Sequence, residues 1–146
     1  MRRSTRGRLA LVALASSLLA GCGVDPASQD LCARYTDLKA AVAELRAAPQ
    51  LDGTNAEVLE GQVDEMRLQA DKVRDALDQI QRVSEGRLDT AIGNARASID
   101  DLRESLIVAR YDAAETLGPR IAEAQANLSA AYAPVAARLD TQCPTS

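Results

Sequence analysis

Three cysteines, Cys22, Cys32 and Cys143, have the most distinctive chemistry in this sequence. A cysteine thiol can be acylated or oxidised to a disulfide, and as a thiolate it can bind a metal ion. Because three is an odd number, at least one thiol has no disulfide partner within the chain. Cys22 stands apart from the other two because it closes a short apolar run near the start of the sequence.

Histidine is absent from the sequence, and its absence excludes several functional classes. Haem attachment through Cys-x-x-Cys-His, di-iron sites built from Glu-x-x-His and most zinc sites require histidine. A Ser-His-Asp triad is excluded for the same reason, and the sequence contains no glycine-rich phosphate loop. No pattern distinguishes a catalytic pair of carboxylates. We therefore predict no catalytic residue, no metal site and no cofactor, and we interpret the protein as non-enzymatic.

An acidic cluster in the middle of the chain consists of four aspartates, Asp64, Asp71, Asp75 and Asp78. Grouped carboxylates can bind a divalent cation. In the heptad register of the neighbouring apolar residues, however, all four fall at outward positions, and Lys72, Arg74 and Arg82 lie among them. We interpret the cluster as a charged helix face that is exposed to solvent.

The first 21 residues have the organisation of a secretory signal. Four arginines precede the apolar run 9–20, which is too short to span a bilayer as a helix. The run leads into Leu19-Ala20-Gly21-Cys22, which resembles the lipobox of bacterial lipoproteins. This resemblance implies removal of residues 1–21, acylation of Cys22 and attachment to the cell membrane on its extracytoplasmic side. The alternative is an ordinary signal peptide with a cysteine near its cleavage site.

If lipid occupies Cys22, the other two cysteines remain as an even pair in an oxidising compartment. We therefore predict a disulfide between Cys32 and Cys143, which are 111 positions apart. Two unpaired thiols are the alternative. On this interpretation, residues 22–27 form a lipidated N terminus with a short tether, and residues 28–146 form a single helical domain.

Downstream of Cys22, apolar residues recur at alternating steps of three and four, which is the spacing of one face of an α-helix. Four sets are present: Leu31, Tyr35, Leu38, Val42, Leu45; Leu59, Val63, Met66, Ala70, Val73, Leu77, Ile80; Leu88, Ile92, Ala95, Ile99, Leu102, Leu106, Ala109, Ala113; and Ile121, Ala124, Leu128, Ala131, Val135, Leu139. No stretch alternates with period two. We therefore predict an all-α protein with coiled-coil-like seams.

Capping and helix-breaking residues predict where these helices begin and end. In chain order, the predictions are an N-cap at Asp25-Pro26, a capping box at Thr54-Asn55-Ala56-Glu57, a break at Gly118-Pro119 and a kink at Pro134.

The join at Ser84-Glu85-Gly86 leaves two architectures open. A turn at Gly86 gives an antiparallel four-helix bundle that runs up, down, up and down, whereas a continuous helix gives three helices with a central one of about 96 Å. With a continuous central helix, flanking helices of about 35 Å are too short to bring Cys143 back to Cys32. Because a disulfide needs Cα atoms within about 7 Å, the predicted bond favours the four-helix bundle, with its termini joined at the lipidated end.

Some apolar residues lie outside the seams. Leu68, Ile107, Val108 and Tyr111 form a candidate surface for a protein partner. The alternative is that each helix of a bundle contacts two neighbours, so that its buried stripe is simply wide. Exposed seams can also pair between two copies of the chain, which leaves a homo-oligomer open.

The charge of the sequence argues against nucleic acid as a partner. The net charge is −4, and removal of residues 1–21 leaves 13 basic residues against 21 acidic ones, or −8. Such a surface is repelled by a phosphate backbone.

Arginine outnumbers lysine 15 to 2 and alanine is abundant. With Leu31-Cys32 and Cys143-Pro144 near the two ends, this pattern resembles small actinobacterial lipoproteins and secreted helical proteins, a resemblance that implies no activity. We expect a lipid-anchored, non-enzymatic bundle that binds another envelope component or spaces it from the membrane. The alternative is a carrier or sequestering protein for a small apolar ligand. A carrier requires an internal cavity, whereas alanine-rich seams predict close packing.

Overall fold

The computed structural model describes residues 25–48, 51, 55–108 and 114–143. Four helices make up nearly all of this part: α1 (Pro26–Ala47), α2 (Ala56–Val83), α3 (Asp89–Val108) and α4 (Ala114–Gln142). These ranges contain no strand. The predicted all-α four-helix bundle is confirmed, and a single long central helix is excluded because α2 and α3 are separate elements.

Side-chain caps begin the first two helices. The Asp25 carboxylate accepts a hydrogen bond from the Ala27 N–H at 3.4 Å, and Pro26 is the first residue of α1, as the sequence predicts. Residues 26 and 27, which the predicted division assigned to the tether, therefore belong to the helix. At α2, the Asn55 side chain accepts from the Val58 N–H at 2.8 Å. Asn55 is thus the N-cap, while Thr54 lies outside the described residues.

The turn between α2 and α3 lies where the sequence predicts it. Glu85 and Gly86 both have left-handed backbone conformations, with φ of 52° and 81°. Glycine adopts such a conformation without a steric penalty. The fully buried Ser84 accepts a hydrogen bond from the Arg87 N–H through its carbonyl at 3.1 Å, which closes the turn. The chain therefore reverses direction, and α3 runs antiparallel to α2.

The start of α4 differs from the prediction. The sequence predicts a break at Gly118-Pro119, but α4 begins at Ala114 and continues through both residues, so this prediction is wrong. The reason is packing: Leu117 and Ile121 are four residues apart, and both are buried in the core. Burial of such side chains contributes about 1.5–3 kcal/mol each, which offsets the hydrogen bond lost at the proline. The helix also continues through Pro134.

The predicted seams form the core. Every seam residue that the structure describes is buried, except Leu59 and Ala131, which are partly buried and pack against the core. Leu117 and Tyr132 of α4 add to this set. Ala109 and Ala113 lie outside the described residues. All four helices contribute to one continuous core.

Helices that are consecutive in the chain pack most closely, whereas α1 and α4, which close the bundle, contact each other less than any consecutive pair does. The start of α1, the turn at 84–88 and the end of α4 lie at one end of the molecule. Two contacts there show this: Arg138 donates to the Arg87 carbonyl at 3.4 Å, and Tyr35 donates to Asp140 at 2.6 Å. Within the described ranges, no helix has both the length and the apolarity that crossing a bilayer requires.

Candidate functional site

The structure brings Cys32 and Cys143 to disulfide distance, with their Cα atoms 5.4 Å apart. This is the predicted pair. Cys32 lies on the second turn of α1 and Cys143 directly follows α4, so the bond joins the first and last helices, which contact each other less than any consecutive pair does. We call this end of the bundle the disulfide end. Cys22, the predicted lipidation site, lies outside the described residues, as do residues 1–21.

A tyrosine pair lies next to the disulfide end, between α1 and α4. Tyr35 is 1% exposed, and its hydroxyl donates to the Asp140 carboxylate. Burial and this hydrogen bond raise the pKa of Tyr35 above its usual range. Burial also raises the pKa of Tyr132, although the neighbouring Tyr35 hydroxyl and the Arg46 guanidinium oppose this effect. Both phenols therefore stay neutral at physiological pH and link the helices without carrying charge.

Two adjoining cavities lie between α1 and α4 beyond this tyrosine pair. Their volumes are about 260 and 300 Å³, and both are lined by Arg46 and Gln125. We refer to the two cavities together as the α1–α4 groove. The other lining residues are Val42, Leu45, Ala126, Leu128, Ser129 and Tyr132 in the lower cavity, and Ala48, Leu51, Met66, Gly118, Ile121 and Ala122 in the upper one. Along α4 the groove extends from Gly118 to Tyr132, which is about 21 Å of helix.

Small residues on α4 explain why a groove forms here. Gly118, Ala122, Ala126 and Ser129 follow one another at steps of four, four and three, and all of them line the groove. Residues at these steps share one helix face. Because their side chains are short, they leave the space between α1 and α4 unfilled. The spacing of this stripe is visible in the sequence, but the buried seams alone do not predict it. The close packing expected from alanine does not extend to this face.

The lower cavity has mainly apolar walls, whereas polar atoms provide more of the lining of the upper cavity than apolar atoms do, and both cavities are lined by one cation, Arg46. The Arg46 guanidinium lies over the Tyr132 ring, 5.8 Å from its centroid. Gln125 directs its amide nitrogen at the Met66 sulfur at 3.8 Å. Neither cavity is lined by a described carboxylate, and no carboxylate of the described residues forms an ion pair with Arg46. The groove therefore combines a mainly apolar lower cavity with a positive charge that forms no ion pair with a carboxylate of the described residues.

The acidic face of α2 has a structural role that sequence analysis did not foresee. Three ion pairs connect α2 to α3: Asp71–Arg103 at 2.6 Å, Arg74–Asp100 at 3.4 Å and Asp78–Arg96 at 3.0 Å. In each pair the residue numbers add to 174, because the two helices are antiparallel about one turn. These side chains are about one-third to one-half exposed, so each pair contributes at most about 1 kcal/mol. Among the described residues, no acidic or cysteine group is arranged to hold a metal ion.

The predicted partner surface is described only in part. Leu68 and Ile107 are 53% and 51% exposed, while Val108 is half-buried and Tyr111 lies outside the described residues. The α2–α3 register pairs Leu68 with Leu106, so Leu68 and Ile107 lie at the same level of the bundle. Both residues lie about one helical turn beyond the Asp71–Arg103 ion pair, on the side away from the turn at 84–88.

Comparison with protein-family models, with curated proteins and with solved structures returned no match for this chain. A function for the protein therefore has to rest on its own residues. Within the described part of the chain, the α1–α4 groove joins a mainly apolar cavity to a cation that forms no ion pair with a described carboxylate.

Proposed function

We propose that this protein is a non-enzymatic binding module of the bacterial cell envelope. It is attached to the membrane through lipid on Cys22, and the α1–α4 groove is its binding site. The groove carries the proposal: its cavities of about 260 and 300 Å³ are bounded by apolar side chains and a few polar groups. Sites for small molecules have this character, with volumes of about 300–1,000 Å³. The groove therefore favours a small apolar ligand over a purely mechanical spacer.

An anchor at Cys22 gives the binding site a definite orientation. Because Cys22 lies three residues ahead of Asp25, the disulfide end of the bundle faces the membrane. The groove begins at Val42, ten residues beyond Cys32, which corresponds to about 15 Å of helix. Its upper cavity lies farther still from the anchor.

A protein partner at Leu68 and Ile107 is the second candidate function. Its support is the exposure of two large apolar side chains at one level of the bundle. Protein partners commonly bind where large apolar side chains are exposed close together. A partner protein that crosslinks to the wild-type chain in cells should then no longer crosslink to the double variant Leu68→Ser/Ile107→Ser. It should still crosslink to the control Val58→Ser, which removes another exposed apolar side chain. Retention of the partner in the double variant contradicts this role.

The intact mass of protein from the membrane fraction tests the anchor. A chain that starts at Cys22 and carries added acyl mass supports the proposal. A chain without lipid contradicts it.

Binding of a neutral apolar dye, N-phenyl-1-naphthylamine, tests the groove. We would use residues 22–146 with Cys22→Ser, a chain that lacks both the signal segment and the acylation site and needs no detergent. We expect one dye per chain, and at least about a tenfold loss of affinity in Ala126→Phe, because the larger ring fills the lower cavity. Ala130→Phe is the matched control, since Ala130 is also exposed on α4 but does not line the groove. A folded wild-type chain that binds no dye overturns the proposed function.

A further inference from the structure

Arg46 gives the α1–α4 groove a charge opposite to that of the molecule. Acidic residues outnumber basic ones 21 to 17 in the sequence, yet the charged residue among the described groove lining is a cation. Other arginines on helix faces, such as Arg74, Arg96 and Arg103, pair with carboxylates of a neighbouring helix. Arg46 instead lies over the Tyr132 ring. Its guanidinium donors therefore remain available to an anionic group in the groove.

The dimensions of the groove select a thin ligand. Each cavity extends over eight residues of α4, or about 10 Å of helix, and volumes of about 260 and 300 Å³ over that length describe a narrow, elongated groove. Non-bonded carbons pack about 4 Å apart, so an extended hydrocarbon chain, roughly 4–5 Å wide, fits.

The length of the groove matches one acyl chain. From Ser129, at the level of Arg46, to Gly118 the groove extends over eleven residues of α4, which is about 16 Å. One leaflet of a bilayer has a hydrocarbon thickness of about 15 Å, half of the total of about 30 Å. A single extended chain therefore fills the distance between the cation and the far end of the groove.

We infer that the groove binds an anionic amphiphile with one acyl chain and a carboxylate head group, an inference that rests on the binding function proposed above. The carboxylate binds the Arg46 guanidinium, with the Ser129 hydroxyl as a neighbouring donor. The chain lies along Ala126 and Ala122 towards Gly118, and it contacts apolar side chains contributed by α1 and α2. A charge-assisted pair of this kind is about twice as strong as a neutral hydrogen bond, so the head group sets the specificity.

Displacement of N-phenyl-1-naphthylamine by two ligands with equal chains tests the inference. Dodecanoate and dodecanol would be titrated at pH 8 into the Cys22→Ser chain that carries wild-type Arg46. We expect dodecanoate to displace the dye at a concentration at least about tenfold lower. In Arg46→Gln the two ligands should agree within about twofold. Arg82→Gln removes the same charge from an exposed position on α2 outside the groove and should keep the full preference.

The outcomes separate this inference from the proposed function. If both ligands displace the dye equally, the inference is overturned but the proposed binding function is not contradicted. The same holds if neither ligand reduces dye binding. A preference that survives in Arg46→Gln also overturns it. If dye binding falls as protein concentration rises, a second copy of the chain covers the groove, and the amphiphile is again excluded. Absence of dye binding overturns both proposals together.

Discussion

Replacing both disulfide cysteines, by Cys32→Ser with Cys143→Ser, should lower the free energy of unfolding by about 4–5 kcal/mol. The bond closes a loop with a sequence separation of 111. For a loop of that length, the chain-entropy model gives about 4.8 kcal/mol at 25 °C, because the crosslink restricts the unfolded chain. Small domains unfold with only about 5–15 kcal/mol, so this is a third or more of the total.

The variant should nevertheless keep its helices, because α1 packs on α2 and α3 packs on α4. We expect an unchanged helical signal in far-UV circular dichroism at 20 °C and a urea midpoint far below that of the oxidised protein. The dependence on urea should steepen, since the unfolded chain without the crosslink exposes more surface. Wild-type protein with its disulfide reduced is the matched control, because it loses the bond without any substitution.

A loss below about 1 kcal/mol in both the variant and the reduced wild type would refute the loop-closure argument. A large loss in the variant alone would instead assign the effect to the new serine side chains. Agreement between the two, at about 4–5 kcal/mol, is the result expected from the geometry.

Three further predictions concern the turn, the core and the buried phenol. Gly86→Ala should lower the free energy of unfolding by about 1–2 kcal/mol, because φ is 81° at this position. Gly93→Ala, in open space on α3, should raise it by about 0.5–1 kcal/mol. Equal shifts of the two variants in thermal unfolding would contradict this. Leu102→Ala should cost about 2–5 kcal/mol in urea unfolding, and a comparable loss in the half-exposed Leu68→Ala would contradict the burial argument. Tyr35 has a folded-state pKa raised above its usual value of about 10. Its stabilising effect is therefore complete below pH 10 and falls by about 1.4 kcal/mol per pH unit above it. Tyr35→Phe should flatten that fall in urea titrations between pH 10 and 11, and parallel curves for the two proteins would contradict this.

The parts of the fold that the sequence predicts correctly depend on short-range patterns or covalent chemistry. Apolar steps of three and four identify the buried face of each helix, and Gly86 marks a turn that needs a left-handed conformation. The distance that a disulfide permits then requires a bundle that returns Cys143 to Cys32.

Features that depend on distant parts of the chain were not predictable in the same way. Gly118 and Pro119 are strong local signals for a break, but core burial of Leu117 outweighs them. The pairing of Asp71 with Arg103 becomes visible only when the α2–α3 register is known. The groove is still more difficult to predict, because it is a space between α1 and α4, the two helices that are farthest apart in sequence. In the sequence alone, Arg46 does not differ from any other arginine on a helix surface.

The Cys32–Cys143 bond also determines how tension is transmitted through the molecule. A pulling force applied between a point before Pro26 and a point after Cys143 reaches the bond after the first two turns of α1. From there it passes directly to Cys143 through covalent atoms, so the loop between the two cysteines, which contains the core and the groove, carries no load. Stretching can unwind residues 26–31, but it cannot pull α1 away from α4. The groove therefore keeps its shape while the chain is under strain.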